Sequence, residues 1–453
     1  MPEFQSLEQK INAHGGALNM VRQSPAGLTI FPGIPPEFTN WRDEQRAWHE
    51  TVVMFEQSYH MTELHLRGGD ALPFIAGLAS NRLDTLTPMR AKQLVMVDDR
   101  GYLISDAIIF RESEDFLRVV GPPTASSWVQ FQAERSAYQV EVTRNENMIV
   151  PRPQRDVFRF QLQGPNALAM AQEVSDGTLP DIKFFHIGEF QIAGHTVRAL
   201  RHGMAGRPGF EFYGPWDAQQ AVRARVEEVG VKYGLRKAGS ITYPTAAQES
   251  GWMPRPFPAI YAGDGTRAFR EWQPAAAFEA NASLGGSFVS DDPTDYMVEP
   301  YELGYGPMVH FDHDFIGRDA LLAKNGKKRR TKVTLEWNND DVFRVLQRSV
   351  GPERPRTRFI QLPVPMYATF EYDAVMADGV MIGTSQWSAY SSNAGAVLST
   401  ALIDTDQAVM GRDVTLIWGE PNSRRPTVEE HEVTPIRARI APVPYFEKSI
   451  KRD

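Results

Sequence analysis

Twice the chain runs the same short programme: a strand-like alternation, a glycine break, then apolar residues at helical spacing. Thr62-Glu63-Leu64-His65-Leu66-Arg67 has the period of a half-buried strand. Gly68-Gly69 breaks it, and Asp70 is placed to cap a short helix carrying Ala71, Leu72, Phe74 and Ile75. Phe158-Arg159-Phe160-Gln161-Leu162-Gln163 repeats the pattern. There Gly164-Pro165 ends the strand, and the proline suits the first turn of a helix over Asn166–Val174. A third helix is predicted over Asp217–Val229, with Ala218, Ala221, Val222, Val226 and Val229 on one face and Gly230 as its C-cap. Such units, interleaved with hairpins rather than strictly alternating, predict an α+β fold.

At 453 residues the chain is long enough for several domains. Gly351-Pro352-Glu353-Arg354-Pro355-Arg356 reads as a linker. Beyond it, strands at Ala374–Met376, Val380–Ile382, Ala396–Leu402 and Asp413–Trp418 predict a small β-rich domain over 351–453, after a larger region over 1–350. The basic run Lys327-Lys328-Arg329-Arg330 reads as a solvated surface turn.

A formal net charge of −8 argues against nucleic acid as a partner, since such binding depends on cations displacing counterions from phosphates. The absence of cysteine excludes disulfides, thiolate metal sites and cysteine nucleophiles. No apolar run reaches a membrane span, and Met1-Pro2-Glu3-Phe4-Gln5 begins no secretion signal, so a cytoplasmic protein is expected. His310-Phe311-Asp312-His313-Asp314 groups metal-ligating side chains, but at no standard spacing, and no metal is assigned to it. No P-loop, GxSxG elbow or HExxH motif occurs.

Glu299-Pro300-Tyr301-Glu302-Leu303-Gly304-Tyr305-Gly306, followed by Asp314-Phe315-Ile316-Gly317-Arg318-Asp319-Ala320-Leu321, resembles the aminomethyltransferase (glycine-cleavage T-protein) superfamily. Leu162-Gln163-Gly164-Pro165, Gly209-Phe210-Glu211 and a Gly383-Thr384-Ser385 turn follow the same order. Pro36–Arg42, Ala91–Gln93, Leu200–Gly206, Glu249–Trp252 and Gly285–Ser290 are similar to its bacterial aryl O-demethylase subgroup. The resemblance implies a folate-binding catalytic region of mixed sheets and helices around a central channel, then a small β-barrel-like domain. It also implies tetrahydrofolate as cofactor and a small aromatic as substrate. Tyr243 falls at the catalytic tyrosine, Glu211 at the pterin-binding carboxylate, and Trp252 and Gln163 at further folate contacts. Gln57 and His60 fall at positions facing the aromatic substrate, and Asp106 where a carboxylate lies near folate N10. The residues agree with the chemistry. Cleaving an aryl ether without oxidation needs an acid for the leaving oxygen, and a phenol of pKa ~10 matches the departing phenol. Pro244 biases Tyr243 away from helical conformation, so the segment reads as a strand end or turn.

Two departures bear on the substrate. Pro122 stands where carboxylate-specific demethylases carry an arginine, and Phe31 where a tyrosine is usual. Both make the pocket less polar and imply a neutral aromatic, although Arg118 lies nearby in sequence. The subgroup that the chain resembles includes an enzyme that opens the methylenedioxy rings of a lignan without a carboxylate, so the first expectation the resemblance implies is methylene transfer from a methylenedioxyphenyl lignan of the sesamin type, yielding a catechol and 5,10-methylene-tetrahydrofolate. Asp106 would manage the second proton. An O-demethylase of methoxyarenes yielding 5-methyl-tetrahydrofolate, and a non-catalytic folate-binding protein, stand as alternatives.

Overall fold

A computed structural model describes residues 4–27, 33–146, 155–325, 327, 329–352 and 354–448. Among them are two large sheets and a closed barrel. The first sheet has the strand order Leu235–Lys237, Val52–Glu56, Val157–Gln163, Gly209–Pro215, His195–Arg201, Ile187–Ile192. The second runs Arg90–Val97, Leu103–Arg111, Phe116–Gly121, Thr62–Arg67, Glu141–Asn145. Both repeated strands of the sequence are thus present, one in each sheet. The mixed α+β architecture expected from them is the one observed.

Helices cover the outer faces. Ala167–Val174 and Gln219–Tyr233 pack Met170, Val174, Val222 and Val226 onto Phe158, Phe160 and Phe212 of the first sheet. Pro123–Arg135 packs Trp128 and Val129 onto the second. The sheets meet edge to edge where the Ala91 amide donates to the Phe185 carbonyl (2.9 Å) and the Ile187 amide to that of Met89 (2.9 Å). Ala91, Phe110, Val120, Ile187, Leu200 and Tyr213 close the seam with a shared apolar cluster.

The barrel is built from Arg330–Trp337, Ala396–Asp404, Val380–Ser391, Asp373–Ala377, Asp413–Trp418 and Thr434–Ala441, the last pairing back onto the first. Its first strand starts at Arg330, so the segment 351–356 lies inside the run of chain that forms the barrel. Gly383, Thr384 and Ser385 pair with Ile403, Leu402 and Ala401 in mid-strand and form no turn. Among the described residues no helix is long and apolar enough to cross a membrane.

Three local expectations change. The third helix runs on to Tyr233, and its C-cap is Gly234, which takes the left-handed conformation at φ 71°. Gly230 lies within the helix, where its missing side chain makes room for Leu235. Asp70 makes no capping bond; its carboxylate accepts from the Gln139 amide at 2.9 Å. Arg330 is not a surface residue. It is buried and donates to both oxygens of Glu302 (2.7 and 2.8 Å) and to the Met297 carbonyl (2.7 Å).

Gly209 begins the strand that carries Glu211, and a methyl group there would collide with the Leu162 carbonyl of the paired strand. Gly209→Ala is expected to lower stability by about 1–3 kcal/mol, read as a lower denaturant midpoint with unchanged slope.

Candidate active site

A cavity of about 400 Å³ opens between the two sheets and the barrel. The long strand Leu103–Arg111 supplies Asp106 and Phe110, the strand Gly209–Pro215 supplies Glu211, and the barrel supplies Trp387. Gln57, His60, Pro122, Tyr243 and Trp252 also face it. Of the residues singled out in the sequence, seven that are far apart in the chain therefore meet in one space: Gln57, His60, Asp106, Pro122, Glu211, Tyr243 and Trp252. Phe31 lies outside the described residues. Gln163 does not line the cavity. Its amide donates to the His202 carbonyl (3.1 Å) and accepts from the Ala205 amide (2.7 Å), holding the loop beside the cavity.

Tyr243 begins a 3₁₀ turn, Tyr243–Thr245, with Pro244 in its first turn, rather than ending a strand. The turn is braced from two sides. Glu44 accepts from the Gly239 amide (2.8 Å) and the Thr242 hydroxyl (2.6 Å), and Gln45 donates to the Thr245 hydroxyl (3.0 Å). From the barrel, the Trp387 indole donates to the Pro244 carbonyl (3.1 Å). Trp387 sits at a register shift in its strand, at φ 31°. Such a bulge re-aims a side chain, here over the cavity.

The Gln57 amide nitrogen donates to the Tyr243 hydroxyl oxygen (3.0 Å) and to Gln161 Oε1 (2.8 Å), so the phenol oxygen accepts from Gln57. The His60 ring meets the Tyr243 ring edge-on at 4.8 Å. Burial raises the Tyr243 phenol well above its ordinary value, so it stays protonated. Burial, helped by the charges of Arg255 and Arg155, pulls His60 down to about 3, so its imidazole is neutral.

The two carboxylates are held differently. Asp106 Oδ2 accepts from the Tyr305 hydroxyl (2.6 Å), Gln93 (2.7 Å) and the Trp252 indole (3.4 Å). Burial raises its pKa against those bonds. Glu211 pairs through Oε1 with Arg159, while among the described residues no hydrogen bond reaches Oε2. Its pKa too is raised, because desolvation outweighs Arg159. Arg159 also donates to Glu63 (2.6 Å), and its guanidinium lies over the rings of Phe110 (4.9 Å) and Tyr213 (4.8 Å). Among the described residues its Nη2 has no hydrogen-bond partner. Sequence reasoning passed over Arg159, which sits in a regular strand alternation, and over Trp387, whose bulge leaves no compositional mark.

Pro122 lines the cavity with neither charge nor donor. Arg118 does not replace the missing arginine, because it is buried against Glu63 (2.7 Å) and Glu112 (3.0 Å). Two cations also line the cavity, Arg255 and Lys448. Among the described residues no group of three or more His, Asp or Glu is placed to hold a metal. His313 instead bonds the Ala79 carbonyl (2.9 Å), and Asp312 pairs with Arg82 (3.1 Å).

Residues 19–254 match the family described as GCVT N-terminal domain. Syringate O-demethylase of Sphingobium sp. strain SYK-6 is 42% identical over 443 residues, 97% of this chain and 96% of that protein. Sesamin methylene transferase of Sinomonas sp. strain No.22 is 30% identical over 434 residues, 92% and 91% of the two chains. The glycine cleavage system aminomethyltransferase T from Bartonella henselae superposes with a TM-score of 0.62 over 94% of this chain and 96% of that one, at 14% identity, a likeness of fold. The chain belongs to the aminomethyltransferase superfamily and is a one-carbon transferase. Within it the chain is a tetrahydrofolate-dependent enzyme.

With the imidazole neutral above about pH 4, His60 contributes no inflection to the pH–rate profile near 6.5. Its ring resonances are expected to keep the shifts of neutral imidazole down to pH 5 in an NMR titration of histidine-labelled protein.

Proposed function

We propose that the protein is an aryl O-demethylase that moves the methyl group of a methoxyarene to tetrahydrofolate. The carrying observation is the buried, protonated Tyr243 phenol facing an aromatic-walled cavity that also holds Glu211. The residues suit the cofactor: Glu211 offers a carboxylate to a pterin amino edge and Trp252 an indole face. When bound, tetrahydrofolate supplies the N5 amine that accepts the carbon. Tyr243 gives its proton to the departing ether oxygen. Burial weakens the phenol as an acid, but it disfavours the leaving aryloxide in the same surroundings, so the transfer stays near balance. Gln57 holds the phenol oxygen in place, and neutral His60 packs against its ring without competing for the proton. Asp106, tied to Tyr305, Gln93 and Trp252, orders the indole face.

The 42% identity to syringate O-demethylase supports the methyl-donor reading over the methylene-donor one. The latter is supported by 30% identity to sesamin methylene transferase and by Pro122. The product separates them: 5-methyl-tetrahydrofolate from a methoxyarene is expected, and 5,10-methylene-tetrahydrofolate from a methylenedioxyarene overturns the assignment. Tyr243→Phe is expected to lower kcat by about 10²- to 10⁴-fold with folate affinity retained. Folate affinity itself should fall about 10- to 100-fold in Glu211→Gln, measured by calorimetric titration without substrate. Equal turnover by wild type and Tyr243→Phe removes the phenol from the reaction, and folate binding without turnover of any aryl ether leaves a binding protein.

A further inference from the structure

The helix Asn339–Val350 packs Val342 and Val345 into the core of the barrel, against Leu335, Trp337 and Trp418. Its outer face is apolar as well. Phe343 and Val350 are 62% and 68% exposed, more than a folded chain leaves to chance twice on one short helix. Asp340, Phe343, Gln347 and Val350 follow one another at spacings of three and four and are all exposed, so they form one line along the helix. Two further segments run beside its second half. The Thr357 hydroxyl donates to the Val345 carbonyl (2.7 Å), Thr357 bridges to Glu432, and Glu432 pairs with Arg348 (2.6 Å). These segments add Phe359 and Val433 to the exposed apolar surface. Charge is arranged along the same line. Asp340 is exposed at the start of the helix and Arg354 just past its end, and among the described residues neither has an ion-pair partner. The charges around them are already matched, Arg344 and Arg437 with Asp341 and Arg348 with Glu432.

We propose that this face is a two-fold interface between two copies of the chain. A two-fold axis crossing the helix at Gln347 sets the two helices antiparallel, so that one patch supplies both sides of the contact. Phe343 of one copy then packs on Val350 of the other, and each apolar side chain leaves water. Gln347 lies against its own counterpart, where an amide both donates and accepts. The acidic start of each helix lies over the basic end of the other, and Asp340 of one copy faces Arg354 of the second. A parallel arrangement would bring like charges together instead. The surface therefore carries its own complement in shape and in charge, which is the condition for a second copy rather than an unrelated protein to cover it. The contact is small, since a helix of 12 residues is about 18 Å long, and the dimer is a weak one that depends on concentration.

The test is sedimentation velocity of the full chain over about 2–200 µM. Wild type is expected to pass from monomer to dimer across that range, and Phe343→Glu to stay monomeric. Asp340→Arg and Arg354→Asp each set like charges against one another at two symmetry-related places, and each should weaken the dimer about 5- to 30-fold. The double variant restores both pairs with their signs exchanged and should return to wild-type dimerisation. An equal mixture of the two single variants should dimerise more tightly than either alone, because only the mixed dimer has opposite charges at both places. All these positions are exposed and none lines the cavity, so far-UV circular dichroism and the melting midpoint should match wild type at low concentration. A wild type that remains monomeric throughout, a Phe343→Glu dimer as tight as wild type, or a double variant no tighter than the single ones overturns the proposal.

Discussion

A chain of buried charges ties the two sheets together across the cavity. Glu63 comes from one sheet, and Arg159 and Glu211 come from neighbouring strands of the other. Arg118 and Glu112 extend the chain, and Arg198 continues it from Glu112 (2.5 Å). Desolvation makes such groups costly alone, so each depends on the next being in place. The consequence is unequal. Burial would raise Glu63, but Arg159 and Arg118 outweigh it and hold its carboxyl well below the usual range. Glu211 has Arg159 alone, and its pKa rises. The carboxylate facing the cavity is thus the less satisfied of the two, which suits it to accept hydrogen bonds from a ligand.

The barrel is part of the site rather than an appendage. Glu249 accepts from Trp48 (2.7 Å) on the first-sheet side and from Ser391 (2.6 Å) and Asn393 (3.0 Å) on the barrel side. Gln45 reaches the Tyr390 carbonyl (2.8 Å), and Gln248 that of Trp387 (2.9 Å). The turn bearing Tyr243 lies between these braces. A phenol that must meet an ether oxygen within hydrogen-bond reach needs such positioning, since small misplacements cost large factors in rate. The unusual backbone at Trp387 is held by the same contacts, in keeping with strain collecting where function needs it.

The motifs that made the family legible are mostly structural. Glu302 anchors buried Arg330 at the start of the barrel. Gly317 takes φ 83° where any side chain would strike the Asp98 carbonyl. Tyr305 reaches the site through Asp106, as Glu211 and Trp252 of other matching segments do by lining the cavity. Such segments are recognisable because backbone conformation and close approach admit few residue types. Gln163 shows the opposite case. The resemblance put it at a folate contact, yet its side-chain amide is engaged by the loop at 202–205.

The sequence by itself determined the elements and their order: both alternating strands, the helices that follow them, the late strands of the barrel, and the identities of the phenol and carboxylates gathered in the cavity. The elements follow from side-chain periodicity and turn chemistry, which act over a few residues, whereas the phenol and carboxylates were marked by the resemblance to the aminomethyltransferase superfamily. Only the tertiary structure decided which charge meets which. Arg118 looked like the substitute for the cation missing at Pro122, but it is buried in the ion chain, while Arg255, far along the sequence, faces the cavity. The physical reason is that a charge's role depends on its desolvation and on partners brought close by folding. Neither is encoded in its immediate neighbours.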